Sequence, residues 1–170
     1  FPAFAQYLTD GFIRTMLSND DALEDRRRTT SNHEIDLSPL YGRTEAQTRA
    51  LRSGQGGRLK SQIISGEEYS PFLFDDAGLV KVEFAGLDLP LGLKKLTPEG
   101  KKTIFAAGGD RINSAVQTAM MNTLFLREHN RVAGMLAGLN PGWDDDRLFE
   151  TARNILIVMF IKIVVEEYIN

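Results

Sequence analysis

Several residue types that build common active sites are absent or scarce in this chain of 170 residues. It has no cysteine, which excludes disulfides, thiolate metal ligands and a catalytic thiol. It has only two histidines, His33 and His129, which are too few and too far apart to indicate a metal cluster by spacing. No glycine-rich nucleotide-binding fingerprint is present. A thiol-dependent enzyme and a nucleotide-binding loop are therefore not expected.

The chain also lacks a strong excess of charge and a long apolar run. Its 20 basic and 23 acidic residues give a formal net charge of −3, so we expect no field that would attract nucleic acid. The most apolar stretch, 155–161, is followed by Lys162 and falls short of the ~20 apolar residues that span a bilayer. It predicts a buried helix. The first residue is Phe1 and no leader sequence is visible, so we expect an internal piece of a longer protein.

Helical periodicity dominates what is present, and 42% hydrophobic residues are enough for a real core. We predict a mainly α fold with short strands or irregular segments at about 57–108. The predicted helices cover 2–17, 45–53, 113–136 and a stretch from just after Asp144 to about Tyr168. Thr44 and Asp144 are the predicted N-caps of the second and the fourth. We also predict a solvated loop at 18–32 and a strand that turns at Ser65-Gly66. The last helix is apolar on nearly all sides, which predicts that it lies inside a larger bundle than this chain alone provides.

One segment, Asn122 to Val132 (NTLFLREHNRV), resembles the most recognisable helix of animal-type haem peroxidases and cyclooxygenases. The similarity continues through 140–153 (NPGWDDDRLFETAR) and 161–168 (IKIVVEEY), and upstream through 33–42 (HEIDLSPLYG). It therefore covers most of the chain. The resemblance implies part of the helical catalytic domain of that superfamily and haem b as the cofactor of the intact protein.

The segment Phe4–Asp10 is similar to the family's distal helix, in which a Gln and a His four residues later face the haem iron. Gln6 matches, but Asp10 replaces the His. In the family this His takes a proton from bound peroxide and returns it to the leaving oxygen. A carboxylate with a pKa near ~4 is a poor substitute unless burial raises that pKa. Without the family context, Gln6 and Asp10 on one helical stripe would more often form a solvated face than a site.

Arg111 stands 16 residues before Arg127 and matches the family's distal arginine, which polarises peroxide. The resemblance thus implies Gln6, Asp10 and Arg111 as both the catalytic and the haem-contacting set. Thr9 and Ser114 occupy positions where peroxidases with ester-linked haem carry carboxylates. This departure places the chain closer to the cyclooxygenases, with haem that is not covalently attached.

The family's calcium loop corresponds to an alternation of oxygen donors at Asn32, Glu34, Asp36 and Ser38. Its partner carboxylate is replaced by Gly11, so we do not expect a metal here, and Asp36 has the alternative role of holding a turn.

Tyr168 matches a cyclooxygenase tyrosine beside the radical-forming tyrosine, and Ile169 matches an apolar channel position. By the family's order, the radical tyrosine and the proximal haem ligand lie beyond this chain. We therefore interpret residues 1–170 as a partial domain, its distal-side half. Alone it is not expected to hold haem tightly, and its uncovered apolar surface favours self-association.

Two functions remain open at this point. The first is a haem-dependent oxidoreductase that, in the intact protein, oxygenates a fatty acid or reduces a hydroperoxide. The second is a peroxidase-like protein without catalysis, kept for binding or assembly, and Asp10 in place of His is its best support. His129 is expected to serve helix packing and hydrogen bonding in either case, and neither histidine is expected to bind iron.

Overall fold

The computed structural model describes residues 1–16, 25–31 and 34–169. Its helices are α1 (Pro2–Phe12), α2 (Ser38–Tyr41), α3 (Glu45–Leu51), α4 (Pro98–Lys101), α5 (Val116–Leu139) and α6 (Asp145–Ile163), and a π-helical stretch, Val164–Ile169, continues α6. The strands are β1 (Thr15–Met16), β2 (Asp25–Thr29), β3 (Gln62–Ile64) and β4 (Glu67–Tyr69), which form two antiparallel pairs. The prediction of a mainly α fold with short strands and irregular segments at about 57–108 is confirmed.

The core lies where α5 packs against α1 and α6. Tyr7 of α1 stacks on Phe125 of α5 with ring centroids 5.5 Å apart, and Phe160 of α6 meets Phe125 edge-on at 5.2 Å. The Tyr7 hydroxyl is buried and donates to Asn122 Oδ1 at 3.1 Å. Burying three aromatic rings stabilises the fold by several kcal/mol, about 1.5–3 kcal/mol for each large side chain.

Side-chain caps begin two of the helices as the sequence predicted. Thr44 Oγ1 accepts a hydrogen bond from the Gln47 amide at 3.2 Å at the start of α3, and Asp144 Oδ1 accepts from the Arg147 amide at 2.8 Å at the start of α6. The β3–β4 turn is made by Ser65 and Gly66, both with positive φ, as expected for a two-residue hairpin.

The prediction of one helix over 2–17 is wrong at its end. Helix α1 stops at Phe12, because the chain then extends into β1 and pairs with β2. Arg14 contributes its carbonyl oxygen to this pairing and accepts hydrogen bonds from the Thr30 amide at 2.9 Å and the Thr29 hydroxyl at 2.8 Å. The prediction of a solvated loop at 18–32 is wrong for residues 25–29, which form β2. Residues 17–24 and 32–33 lie outside the described residues.

Helix α6 is covered on one face only. Leu156 and Phe160 are buried, whereas Val158 is 66% exposed, and Val165 in the π-helical continuation is 53% exposed. This agrees with the prediction that the chain alone does not enclose its most apolar helix. Within the described residues, none of the helices combines the length and the apolarity needed to cross a membrane.

Gly108 lets the segment that leads to Arg111 lie directly against α2. A Cβ atom at Gly108 would overlap the backbone of Ser38 and Gly42, which no side-chain rotation relieves. Glycine is therefore required by close backbone approach, and this approach sets where residues 109–111 meet α2.

We expect Gly108→Ala to lower the free energy of unfolding by about 3 kcal/mol, because two backbone segments must separate. Thermal or urea unfolding of the full-length protein checks this. Gly86→Ala is the matched control, since Gly86 is exposed and a Cβ there meets no atom within 4 Å. Equal stability of the two variants would contradict the packing argument.

Candidate active site

Helix α1 carries Gln6 and Asp10 one turn apart on the same face, and both are half-buried. Gln117, in the first turn of α5, donates from its Nε2 to Gln6 Oε1 at 3.4 Å. The sequence contained no signal for Gln117 as a neighbour of this site. Its position follows from the packing of α5 against α1.

Arg111 approaches the same region from the segment that precedes α5. Its Nη2 donates to the Thr15 carbonyl oxygen at 3.3 Å, just beyond the end of α1. Its Nη1 is buried and has no hydrogen-bond partner among the described residues. The charge of Arg111 acts on the Asp10 carboxyl, so the structure brings these two predicted residues together.

Burial raises the pKa of Asp10 from its ordinary value of 3.8 to about 6. The nearby Arg111 guanidinium lowers the pKa, Asp110 raises it and Arg14 lowers it, each less than burial does. Asp10 Oδ2 is buried and finds no hydrogen-bond partner within the described chain. The pKa of Asp10 therefore lies nearer to neutral pH than that of an ordinary aspartate.

A buried ion network lies beside Asp10 and was not predicted as part of the site. Arg14 Nη2 contacts Asp110 Oδ2 at 2.6 Å and Asp88 Oδ2 at 3.5 Å. Asp88 is also paired with Arg43. In the sequence, Arg14 stands on one stripe with Gln6 and Asp10, but the aspartates come from segments about 70 to 100 residues away, and only the fold reveals them.

Tyr168 and Ile169 lie away from Asp10. The Tyr168 ring stacks on Phe1 at 5.0 Å and is tilted against Phe4 at 6.1 Å, so it lies at the N-terminal end of α1. Asp10 lies near the other end of this helix. Ile169 is 71% exposed. The predicted residues thus form two groups at opposite ends of α1.

His129 is fully buried and both of its ring nitrogens are occupied by hydrogen bonds. Nδ1 accepts from the Tyr41 hydroxyl at 2.8 Å, and Nε2 donates to the Gly57 carbonyl oxygen at 2.9 Å. Burial, together with the charges of Arg153 and Arg52, lowers its pKa to about 4 although the bond to Gly57 raises it. The prediction that His129 serves packing and hydrogen bonding is confirmed. His33 lies outside the described residues.

In the candidate calcium loop, Asn32 lies outside the described residues. Asp36 Oδ1 accepts a hydrogen bond from the Ser38 amide at 2.9 Å, and the buried Ser38 hydroxyl donates to the Gly11 carbonyl oxygen at 3.4 Å. This is the turn-holding role that the sequence left as the alternative for Asp36. Across 1–16, 25–31 and 34–169, no cluster of three or more His, Asp or Glu side chains is arranged to hold a metal ion.

A charged cleft of about 730 Å³ includes none of Gln6, Asp10 and Arg111. Four arginines and five carboxylates line it together with three other residues: Glu34, Asp36, Gly42, Arg43, Thr44, Glu45, Thr48, Arg49, Arg52, Asp146, Glu150 and Arg153. Because both signs of charge are mixed along its wall, the cleft favours no particular class of ligand.

Residues 8–170 match the family model described as animal haem peroxidase. This chain belongs to the animal haem peroxidase family. Over its whole length it is 37% identical to "Prostaglandin G/H synthase 2" from Equus caballus and spans 25% of that protein. It therefore spans about a quarter of the length of the curated relatives it matches.

Solved structures share the fold of this chain. Peroxidase A from Dictyostelium discoideum superposes with a TM-score of 0.70 and 28% identity, over 82% of this chain and 25% of that chain. A fatty acid alpha-dioxygenase from Arabidopsis thaliana superposes with a TM-score of 0.63 over 96% of this chain and 26% of that chain. Its 17% identity shows likeness of fold alone.

The pKa of Asp10 predicts a pH-dependent stability for this haem peroxidase family member. Since the folded-state pKa lies above the unfolded one, the contribution of Asp10 is fully present below about pH 4 and is lost as the pH rises through about 6. We expect Asp10→Asn, which mimics the neutral acid, to raise the free energy of unfolding by about 1 kcal/mol at neutral pH, after allowance for partial exposure.

Urea unfolding of the full-length protein at about pH 4.5 and about pH 7.5 measures this effect. The control is Asp76→Asn, the same substitution at an exposed aspartate elsewhere in the chain. If Asp10→Asn behaved like Asp76→Asn, the pKa assignment would be wrong.

For His129, we expect His129→Gln to lower the free energy of unfolding by about 2 kcal/mol, because Tyr41 and Gly57 are left with unsatisfied buried groups. The Soret absorption of the haem-loaded full-length protein should not move, since His129 has no free ring nitrogen for iron. Loss of the Soret band without loss of stability would overturn the structural role.

Proposed function

We propose that the protein containing this chain is a haem-dependent oxidoreductase that oxygenates a fatty acid or reduces a hydroperoxide, and that residues 1–170 form the distal-side half of its catalytic domain. One observation carries the proposal. The half-buried Asp10 lies near Arg111, the arginine of the family pattern, and Asp10 Oδ2 and Arg111 Nη1 are both buried without hydrogen-bond partners among the described residues. Family membership supports haem as the cofactor of the intact protein.

The residues on this side suit a haem that is bound without ester links. Asp10 Oδ2 and Arg111 Nη1 are buried polar atoms without partners in the described chain, as expected where a ligand completes the hydrogen bonding. The two family positions for haem-linking carboxylates carry hydroxyls that are already bonded. Thr9 Oγ1 donates to the Gln6 carbonyl oxygen at 3.0 Å, and Ser114 Oγ donates to the Arg111 carbonyl oxygen at 2.6 Å.

Bound haem would supply the two electrons that cleave the O–O bond of a hydroperoxide. With a pKa of about 6, Asp10 is mostly ionised at neutral pH and can accept the hydroperoxide proton at Oδ2. The same carboxyl, once protonated, returns that proton to the leaving oxygen. Arg111 Nη1 donates to the oxygen on which negative charge develops, and the Gln6 side chain orients the substrate beside it.

Tyr168 and Ile169 belong to the fatty-acid side of this proposal. Tyr168 is held in an aromatic group with Phe1 and Phe4, a rigid position from which it could tune a neighbouring radical tyrosine. The exposed Ile169 would line the apolar substrate channel. Helix α6 has exposed apolar residues such as Val158, which supports the proposal that a further part of the domain packs against this helix. The same exposed residues would promote self-association of the chain when it is produced alone.

The rate of hydroperoxide reduction by the haem-loaded full-length protein tests the role of Asp10. We expect Asp10→Ala to lower kcat/KM about 100-fold, because proton transfer loses its acceptor and donor. Asp10→His should retain or raise the rate. In the unsubstituted protein kcat/KM should rise as the pH passes through about 6, since the ionised carboxylate is the active form. This rise of kcat/KM with pH should disappear in Asp10→Ala.

Asp76→Ala is the control and should leave both rate and pH profile unchanged. A full rate in Asp10→Ala would exclude Asp10 as the proton acceptor.

The replacement of the family's His by Asp10 favours the second candidate, a non-catalytic binding or assembly protein. A full-length protein that binds haem but neither reduces hydroperoxides nor oxygenates fatty acids would favour that candidate.

A further inference from the structure

Two adjacent residues before α5 bind two adjacent residues that follow α1. Arg14 Nη2 forms an ion pair with Asp110 Oδ2 at 2.6 Å, and Arg111 Nη2 donates to the Thr15 carbonyl oxygen at 3.3 Å. The contacts run side by side between segments about 95 residues apart. Because they act at two neighbouring points, they restrain both the separation of the segments and their relative rotation.

The Arg14–Asp110 pair is one of the most buried ion pairs in the described part of the chain. The side chains are 6% and 9% exposed, so few waters compete with the contact. Removal of either partner would leave a buried charge without compensation, which is far more costly than loss of a surface pair. Asp88 adds a second carboxylate 3.5 Å from Arg14 and is itself held by Arg43, which limits the movement of the Arg14 side chain.

Both proposed site groups are attached to this pair through short stretches of chain. Asp10 lies four residues before Arg14, and Arg111 directly follows Asp110. The charged groups that act on Asp10 are Arg111 and Asp110 from the segment before α5, and Arg14 from the segment that follows α1. The distance and the electrostatic environment between Asp10 and Arg111 therefore depend on where Arg14 and Asp110 meet.

We propose that the buried Arg14–Asp110 ion pair is a positioning pair that sets the placement of Arg111 relative to Asp10. The inference rests on the proposed function, in which Asp10 and Arg111 act on a hydroperoxide. Neither Arg14 nor Asp110 is assigned a contact with the substrate. They act through the two residues that they hold.

The pair has an electrostatic signature that simple structural support lacks. Arg14 lowers the pKa of Asp10 and Asp110 raises it, so the two charges oppose each other. Arg14→Gln leaves Asp110 uncompensated and should move the midpoint of the Asp10 titration up by about one pH unit. Asp110→Asn leaves Arg14 uncompensated and should move it down by about the same amount.

The test is made first on the full-length apoprotein. Melting temperatures are measured between about pH 4 and about pH 8 for each protein and for its Asp10→Asn derivative. The difference between the two curves reports the titration of Asp10. In the parent protein this difference should grow as the pH rises through about 6, because ionised Asp10 is the destabilising form.

Two further variants separate positioning from stability. Arg14→Lys keeps the charge and should leave the midpoint of the Asp10 titration near that of the parent, even if stability falls. Arg52→Gln removes the ion pairs of Arg52 with Asp145 and Asp146, which also join distant segments of the chain. Arg52 is not among the charges that act on Asp10. It should lower the melting temperature without moving the midpoint.

The second readout is the pH dependence of hydroperoxide reduction by the haem-loaded protein, whose midpoint should move with that of the apoprotein. Arg14→Gln and Asp110→Asn should each lower kcat about tenfold or more, because Arg111 loses its fixed place. Equal midpoints in all the apoproteins, or shifts of the same sign in both variants, would overturn the inference.

Failure of the proposed function has a different outcome. The full-length protein could reduce no hydroperoxide even with haem bound, while Arg14→Gln and Asp110→Asn still move the midpoint of the Asp10 titration in opposite directions. These results together would support the Arg14–Asp110 pair as the positioning pair. That result would reject the enzyme and leave the coupling between the four residues in place.

Discussion

The buried face of α5 determines where the other segments of this chain lie. Its apolar members, such as Phe125, provide most of the driving force, since aromatic burial against α1 and α6 removes large areas from water. Its polar members provide the specificity. Asn122 binds Tyr7 of α1, and His129 binds Tyr41 and Gly57. The side chain of Asn130 binds both the amide and the carbonyl group of residue 59.

Such buried polar groups penalise every alternative packing. Asn130 Oδ1 accepts from the Leu59 amide at 2.8 Å, and its Nδ2 donates to the Leu59 carbonyl oxygen at 3.2 Å. A shift of α5 by one residue would leave these groups unsatisfied in the core, at a cost of about 1–3 kcal/mol each. The register of α5 is therefore strongly specified, and with it the positions of Arg111 and Gln117 beside α1.

The proposed site differs from this core in one physical respect. In the core the buried polar groups named above are satisfied. At the end of α1, Asp10 Oδ2 and Arg111 Nη1 are buried without partners among the described residues, as are Arg14 Nε, Arg43 Nε and Asp110 Oδ1 of the neighbouring ion network. Unsatisfied buried groups destabilise a fold and persist where a ligand or a reaction uses them. The stability of the α5 core allows the chain to tolerate this cost.

Much of the fold was accessible from the sequence because it depends on local rules. Thr44 and Asp144 cap their helices as their positions predicted, and Ser65-Gly66 makes the hairpin turn. The end of α1 could not be predicted, because nothing local prevents the helix from continuing to Met16. Pairing with β2, from residues about ten positions further along, competes with the helical hydrogen bonds and stops it at Phe12.

The sequence by itself determined the mainly α class, the family and the residue types at the proposed site, including the carboxyl of Asp10 in place of an imidazole. The class follows from periodicity, the family from the resemblance of segments such as 122–132, and the chemistry of the site from the identity of its side chains. Only the tertiary structure decided how that carboxyl behaves. Burial, with a smaller contribution from Asp110, raises its pKa to about 6 although the charges of Arg111 and Arg14 lower it, because a pKa depends on the surroundings that folding assembles from distant parts of the chain.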